Sequence, residues 1–147
     1  MDELLQELQT TWHTEIPISK AMGIEVVSFE NNRLTVQAAL GPNVNVHGTA
    51  FAGSLYAICA LCGWGSTWLQ LKQNEINGSI VIADGHIHYQ RPVAEDIIVV
   101  CDFNGQSDAL NILRDDGKTR FNLQCDISVG DKQAAGFEGV YAVKSLA

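Results

Sequence analysis

The spacing of apolar residues predicts two principal helices in this chain. An amphipathic N-terminal helix follows from apolar residues that recur at helical intervals, namely Leu4, Leu5, Leu8 and Trp12. A longer helix is predicted over about Thr49 to Leu71, because residues 48–71 carry no charged side chain. A helix that is apolar on nearly every side is typically buried, so we expect the rest of the chain to surround it.

Alternation of apolar and polar residues predicts six strands. Their ranges are 24–30, 33–40, 79–90, 96–103, 119–129 and 132–144. Asn31-Asn32 and Gly130-Asp131 separate consecutive strands and are typical of tight hairpin turns. A short helix is predicted at Asp108–Arg114, with Gly117 ending it.

The order of these elements predicts a single domain over residues 1–147, of the α+β class. One long helix and about six antiparallel strands form two layers, with the sheet wrapped around the helix. Such a sheet covers the helix only partly and leaves open edges. We therefore expect a homodimer or a dimer of dimers.

The charge balance narrows the possible partners. A net charge of −8 and a pI near 4.7 argue against nonspecific binding of nucleic acid, which requires clustered positive charge. Arg114, Lys118 and Arg120 form the densest basic cluster, but Asp115 and Asp116 lie among them in the sequence. We interpret this cluster as a solvated face.

The N-terminal residues show no positively charged segment followed by an apolar one, so a cytoplasmic location is expected. Cys59 and Cys62 form a Cys-x-x-Cys pair without a second pair at zinc spacing, which predicts reduced, buried thiols. The uncharged segment 48–71 is long enough for a membrane span. Its glycine, serine and threonine residues and the flanking strands favour a buried helix instead.

The segment Asn43–Thr49, at the entrance to the predicted helix, is the best candidate for a functional site. No Asp or Glu occurs between Glu30 and Glu75, so chemistry here would proceed without a neighbouring carboxylate. A helix start offers free backbone N–H groups to an anionic or carbonyl oxygen. The same residues also have structural explanations, since Asn is a preferred helix cap and turn residue and glycine permits tight turns.

The segment from Asn45 to Ser54, which reads Asn-Val-His-Gly-Thr-Ala-Phe-Ala-Gly-Ser, resembles the active-site segment of hotdog-fold proteins. Residues 87–93 and 136–143 are similar to strands of the same fold. Among hotdog proteins the chain most resembles the thioesterase family of the YiiD carboxy-terminal-domain type. That resemblance implies an acyl-thioester substrate on acyl carrier protein or CoA. Members of the group are associated with decarboxylation of malonyl-acyl carrier protein in the initiation of fatty acid biosynthesis.

One departure from the hotdog pattern separates the possible reactions. Thioesterases of this type usually carry an Asp or Glu about nine residues after the His, and here that position is Tyr56. Hydrolysis needs an activated water and therefore a base. Decarboxylation of a malonyl thioester needs donors for the enolate oxygen instead. The sequence thus favours decarboxylation over a thioesterase, which would need a base from elsewhere, for example Asp84 or a residue of a partner chain. A noncatalytic acyl-binding module is a further alternative.

The expected catalytic residues are Asn45, His47, Gly48 and Thr49. The Asn45 carboxamide and the backbone N–H groups of Gly48 and Thr49 are predicted to hold the thioester oxygen. Asn43, Phe51 and Leu55 are expected to contact substrate, with an apolar pocket around Phe51 and Leu55. No cofactor is expected.

A second cluster lies on the strand predicted at residues 79–90. Asp84, His86 and His88 share one face because they are spaced by two. A His-x-His pair beside a carboxylate could ligate a divalent metal, but no third His follows at a suitable spacing. We expect these residues to bind substrate at the pocket edge or to line a dimer interface, and we expect no metal.

Overall fold

The computed structural model describes residues 2–146. Its helices are α1 (Glu3–Glu15), α2 (Pro17–Ala21), α3 (Ala52–Gln73) and α4 (Ser107–Asp116). Its strands are β1 (Glu25–Glu30), β2 (Arg33–Ala38), β3 (Gly78–Tyr89), β4 (Ile97–Asp102), β5 (Lys118–Val129) and β6 (Lys132–Ser145). A 3-10 turn at Gly41–Asn43 follows β2. The predicted α+β architecture is confirmed: one antiparallel six-stranded sheet accompanies one 22-residue helix.

The strands are ordered β1-β2-β4-β5-β6-β3, so β1 and β3 form the two sheet edges in residues 2–146. β5 and β6 pair along almost their whole length, from Lys118 opposite Lys144 to Val129 opposite Lys132. β4 and β5 pair over only three positions, from Val99 opposite Ile127 to Cys101 opposite Cys125. The sheet therefore consists of two well-paired halves joined by a short seam.

The hairpin turns follow the predicted chemistry. Asn31 and Asn32 both adopt positive φ, +53° and +63°, as a two-residue turn between β1 and β2 requires. Gly117 ends α4 in the left-handed region at φ +78°, and its N–H donates to the carbonyl oxygen of Leu113.

The central helix lies against the inner face of the sheet and under α1. Ile58, Cys62 and Leu69 are fully buried on it. Gly63 allows the helix backbone to approach Tyr141 of β6, because an added Cβ would overlap the phenol ring. The Tyr141 hydroxyl donates to the carbonyl oxygen of Ala60 at 2.8 Å, which fixes the distance between helix and sheet.

Two local features differ from the prediction. α3 begins at Ala52 and ends at Gln73, rather than spanning Thr49 to Leu71. Its start is displaced because residues 44–50 form a closed loop of their own, described below. Helix α2 was not predicted; it is a five-residue turn that starts with Pro17, a residue favoured at the first helical position.

The four cysteines are buried and unpaired, which confirms the burial predicted for Cys59 and Cys62. Cys101 and Cys125 face each other across β4 and β5, and Cys59 and Cys62 lie on α3 opposite them. Burial raises the pKa of the Cys62 thiol to about 11, which keeps it protonated and unreactive at neutral pH. No helix within residues 2–146 is both long and apolar enough to cross a membrane.

Candidate active site

The segment between the 3-10 turn and α3 folds into a compact loop. Val44 and Ala50 form an isolated antiparallel bridge, and the N–H of Asn45 donates to the carbonyl oxygen of Thr49 at 2.7 Å. Gly48 closes the turn at φ +79°, a conformation that favours glycine, and its N–H donates to the carbonyl oxygen of Asn45 at 3.2 Å. The loop therefore has one defined shape, which its own backbone maintains.

The side chain of Asn45 lies at the centre of this loop. Its Oδ1 accepts hydrogen bonds from the N–H of His47 at 2.9 Å, from the N–H of Thr49 at 3.1 Å and from Oγ1 of Thr49 at 3.2 Å. Its Nδ2 donates to Oγ1 of Thr49 at 2.9 Å and to the carbonyl oxygen of Ala50 at 3.4 Å. The carboxamide is thus used within the loop, and the N–H of Thr49 is not free for a substrate oxygen.

Asn43 supports the loop from below rather than facing substrate. It is buried, with an exposed fraction of 2 %, and its Nδ2 donates to the carbonyl oxygens of Met22 and Ala39 at 2.8 Å each. Its own carbonyl oxygen accepts the N–H of Phe51 at 2.7 Å. The expected contact between Asn43 and substrate does not fit this position, because the protein interior encloses the side chain.

The free donors lie at the true start of α3. Phe51 precedes the helix in an extended conformation and provides no side-chain cap. Within residues 2–146, the N–H groups of Ala52 and Gly53 have no hydrogen-bond acceptor, whereas those of Ser54 and Leu55 donate to the carbonyl oxygen of Phe51. A 22-residue helix also places partial positive charge at this end. The free N–H groups at the helix start are therefore those of Ala52 and Gly53, whereas the N–H groups of Gly48 and Thr49 already have acceptors within the loop.

The end of β3 flanks these donors. The hydroxyl of Tyr89 donates to the carbonyl oxygen of Ala52 at 2.9 Å, and the N–H of Ala50 donates to the carbonyl oxygen of Val93 at 2.8 Å. Partial burial, with smaller contributions from Cys59 and Tyr56, raises the pKa of Tyr89, so its phenol stays a donor. These two hydrogen bonds fix the end of β3 and the segment after it against the start of α3.

Tyr56 occupies the position where hotdog thioesterases carry an acid. Its ring packs edge-on against Phe137 with centroids 5.2 Å apart. Its hydroxyl lies over Gly85 of β3, where any Cβ would overlap it. Neither the loop at 43–51, the first two turns of α3 nor the strand end at 89–93 contains Asp or Glu.

The remaining predicted residues of the loop and helix divide between surface and core. His47 is exposed, and Phe51 exposes 55 % of its surface. Leu55 retains only 4 % exposure and belongs to the core beneath α3. A single chain thus presents Phe51 alone, and not the expected pocket of Phe51 and Leu55, at the helix start.

Asp84, His86 and His88 lie on the outer face of the sheet, opposite to the face that packs against α3. His86 is opposite Glu138 on β6, whereas its neighbour Ile87 is opposite the buried Phe137 on the helix side. The two imidazoles are hydrogen-bonded to each other, with 3.1 Å between their Nε2 atoms. Residues 2–146 contain no group of three His, Cys, Asp or Glu side chains arranged to hold a metal ion.

Comparison with known proteins identifies the family of this chain. The family model described as "Putative thioesterase (yiiD_Cterm)" matches residues 5–145. The chain belongs to this family. Membership confirms the resemblance inferred from the Asn45–Ser54 segment, and it identifies the sheet and helix as a hotdog fold.

Solved structures of similar proteins agree. The putative thioesterase from Shewanella oneidensis is 40 % identical, matches over 100 % of both chains and superposes with a TM-score of 0.92. A protein of unknown function from Chlorobaculum tepidum is 28 % identical over 99 % of this chain and 96 % of its own, with a TM-score of 0.91. A probable thioesterase from Pseudomonas aeruginosa shares the fold at 15 % identity, with coverage of 96 % and 95 % and a TM-score of 0.82.

Three features of the site were not foreseen from the sequence. The Tyr89 hydroxyl donates to the carbonyl oxygen of Ala52, Gly85 accommodates the Tyr56 hydroxyl, and the N–H groups of Ala52 and Gly53 are the free donors. An aromatic residue at the end of a strand was the only available signal for Tyr89. The free N–H groups depend on where α3 begins, and the contact between Gly85 and Tyr56 depends on how β3 is aligned against α3.

Proposed function

We propose that this protein decarboxylates malonyl-acyl carrier protein to acetyl-acyl carrier protein and leaves the thioester intact. The observation that carries the proposal is a helix start with two free N–H donors, at Ala52 and Gly53, in surroundings without a carboxylate. Family membership supports a thioester substrate. The lack of a base beside the donors favours loss of CO₂ over attack by water.

The chemistry requires little more than these donors. The bond between the carboxylate carbon and the α-carbon breaks, CO₂ departs, and the electron pair moves onto the thioester oxygen as an enolate. The N–H groups of Ala52 and Gly53 stabilise that oxygen, aided by the positive end of α3. The α-carbon then takes a proton from water, which gives the acetyl thioester.

Asn45 takes the role of a positioning residue in this mechanism. Its five hydrogen bonds within the loop fix the turn that leads into Phe51 and the two donors. Gly48 permits the turn and Thr49 shares its hydroxyl with Asn45. His47 is exposed beside them, and in this proposal it contacts the carrier arm or the substrate carboxylate.

A second copy of the chain completes the site in this proposal. Apolar side chains around the loop are exposed to an unusual degree: Val46 at 95 %, Phe51 at 55 % and Tyr89 at 50 %. The neighbouring edge of β3 has no strand partner within residues 2–146. Pairing through that edge would cover these side chains and exclude water from the substrate carboxylate, which promotes loss of CO₂.

Replacement of Ala52 by proline tests the donor assignment directly. Proline lacks the N–H but fits the first position of a helix, and Phe51 before it has the extended backbone that proline requires. Ala52→Pro should therefore keep the fold and thermal stability while turnover of malonyl-acyl carrier protein falls about 10²–10³-fold. Products are identified by mass. Full activity of a folded Ala52→Pro variant would refute the assignment.

The second candidate is a thioesterase, which the family match favours. Asp84 cannot serve as its base from within the chain, because Asp84 lies on the outer face of the sheet. A hydrolase would need a base from a second copy. Release of free thiol from malonyl and medium-chain acyl thioesters would identify hydrolysis, whereas an acetyl thioester product identifies decarboxylation.

A further inference from the structure

A groove of about 790 Å³ lies on the outer face of the sheet, away from the candidate site. It runs between α4 and the strands β3, β5 and β6. Small and apolar side chains form its floor, and three cations stand along it; the residues that matter most are Val81, Ala109, Ile112, Lys118, Arg120 and Lys144. Val81 and Ile112 are 60 % and 48 % exposed, so apolar surface is open to solvent here.

Strand register brings the cations together. Lys118 and Lys144 lie directly opposite each other on β5 and β6, and Arg120 follows on the same face because Phe121 points into the core. None of the three lies within ion-pair distance of a carboxylate in residues 2–146. Asp115 and Asp116 adjoin this cluster in the sequence but do not line the groove. Lys118 and Arg120 of the basic cluster noted in the sequence therefore meet Lys144 at the groove, whereas Arg114 does not line it.

We propose that this groove docks the acidic surface of the carrier protein that bears the acyl thioester. This inference rests on the proposed function for the identity of the substrate. The chain carries a net charge of −8, so most of its surface repels an acidic protein, and three unpaired cations at one place define where such a protein can approach. The open apolar floor suits the hydrophobic face of a helix flanked by carboxylates.

The position of the groove has a consequence for delivery of the substrate. Ser79 lies beside the groove and Tyr89 beside the candidate site, ten residues along the same strand, which is roughly 33 Å. That span exceeds an extended phosphopantetheine arm. Antiparallel pairing of two β3 edges places the Ser79 end of one copy beside the Tyr89 end of the other. The groove of one copy therefore serves the site of its partner.

The test uses the double charge reversal Lys118→Glu with Arg120→Glu, compared with Lys20→Glu with Lys132→Glu, which changes the net charge equally outside the groove. Turnover is measured with malonyl-acyl carrier protein, malonyl-CoA and malonyl-pantetheine. The groove variant should lose about tenfold or more in kcat/KM for the carrier protein alone. An equal loss with malonyl-CoA would mean that the groove holds a nucleotide phosphate, and it would overturn the proposal, as would an equal loss in the control pair.

Binding of the unacylated carrier protein, measured calorimetrically at low and high salt, keeps the inference testable if the protein proves not to decarboxylate. Binding that weakens with salt and disappears in the groove variant supports docking. Unchanged binding overturns it, and so does a change of oligomeric state, which would assign the groove to a contact between copies. Delivery in trans predicts that mixing the groove variant with Ala52→Pro restores turnover of the carrier substrate; no restoration overturns delivery in trans.

Discussion

Asn45 offers the sharpest test of what maintains the loop at residues 44–50. Its carboxamide makes hydrogen bonds to three residues, and all of them lie within five positions along the chain. Asn45→Ala removes every one of these bonds. Asn45→Asp keeps the acceptor oxygen that holds the N–H groups of His47 and Thr49, but it replaces the donor that reaches Thr49 and Ala50. Comparison of the two variants therefore separates the contribution of the accepting oxygen from that of the donating nitrogen.

The expected magnitudes follow from the bond geometry. Four of the five bonds measure 2.9, 2.9, 3.1 and 3.2 Å, and the fifth, at 3.4 Å, is weak. Two of the four join the carboxamide to the same Thr49 hydroxyl and are counted here as one, which leaves three good bonds. With a net contribution of about 1 kcal/mol for each good bond, Asn45→Ala should lower the free energy of unfolding by about 2–3 kcal/mol. Asn45→Asp should lower it by about 1 kcal/mol, since the two backbone donors keep a charged acceptor.

Urea unfolding followed by tryptophan fluorescence measures these differences, with Asn122→Ala as the control. Asn122 is exposed on the outer face of β5, and its side chain makes no hydrogen bond within residues 2–146, so its removal should change stability little. Activity is measured on the same preparations. A positioning role predicts that activity falls with loss of loop order in Asn45→Ala.

Two results would refute this argument. If Asn45→Ala is as stable as the parent, the side chain does not maintain the loop as described. If Asn45→Ala keeps full stability and still loses 10²–10³-fold in kcat, the carboxamide itself donates to the thioester oxygen in the transition state. The second result would restore the direct role expected from the sequence.

Other parts of the structure make equally specific predictions. Gly85→Ala should destabilise the fold by about 1–3 kcal/mol, because the new methyl group overlaps the Tyr56 hydroxyl. In a double-mutant cycle measured by urea unfolding, Tyr56→Phe should recover part of that loss, and additive losses would contradict the contact. Gly63→Ala should cost at least as much, since it forces Tyr141 from its place, and an unchanged melting temperature would show that the helix stands farther from β6. Burial raises the pKa of Cys62 from its ordinary value of 9.0 to about 11, so between these pH values the folded state keeps a proton that the unfolded chain releases. The free energy of unfolding should therefore fall as pH rises from about 9 to 11. Cys62→Ala should flatten that decline, and a pH profile identical to that of the parent would exclude Cys62 as its source.

The sequence predicted the elements well because their patterns are strong. The uncharged run of residues 48–71 has few alternatives in a chain rich in strands, and Asn31-Asn32 specifies its turn through two left-handed backbone positions. The family resemblance was confirmed by the match over residues 5–145. The sequence did not fix the start of α3, because Thr49 and Ala50 are as compatible with a helix as with the loop in which they lie.

The geometry of the candidate site depended on facts that no local pattern contains. Asn45 has the composition of an oxyanion donor and of a turn residue alike, and only the positions of His47 and Thr49 show where its hydrogen bonds go. The face on which His86 lies follows from its register with Glu138, after an irregularity between Ile82 and Asp84. Spacing alone could place His86 and His88 together, but not on the outer side of the sheet.

The seam between β4 and β5 bears on how this chain folds. Each half of the sheet joins strands that are far apart in the sequence. Arg33 of β2 bonds with Asp102 of β4, 69 residues later, and Gly78 of β3 pairs with Ser145 at the end of β6. Such a high contact order predicts refolding in milliseconds to seconds rather than microseconds. The three-position seam contributes few of the sheet's hydrogen bonds, so the long β5–β6 hairpin is the element most able to form early, with closure against β4 last. Pulsed hydrogen exchange during refolding should therefore protect amides of β5 and β6 before those at Val99–Cys101.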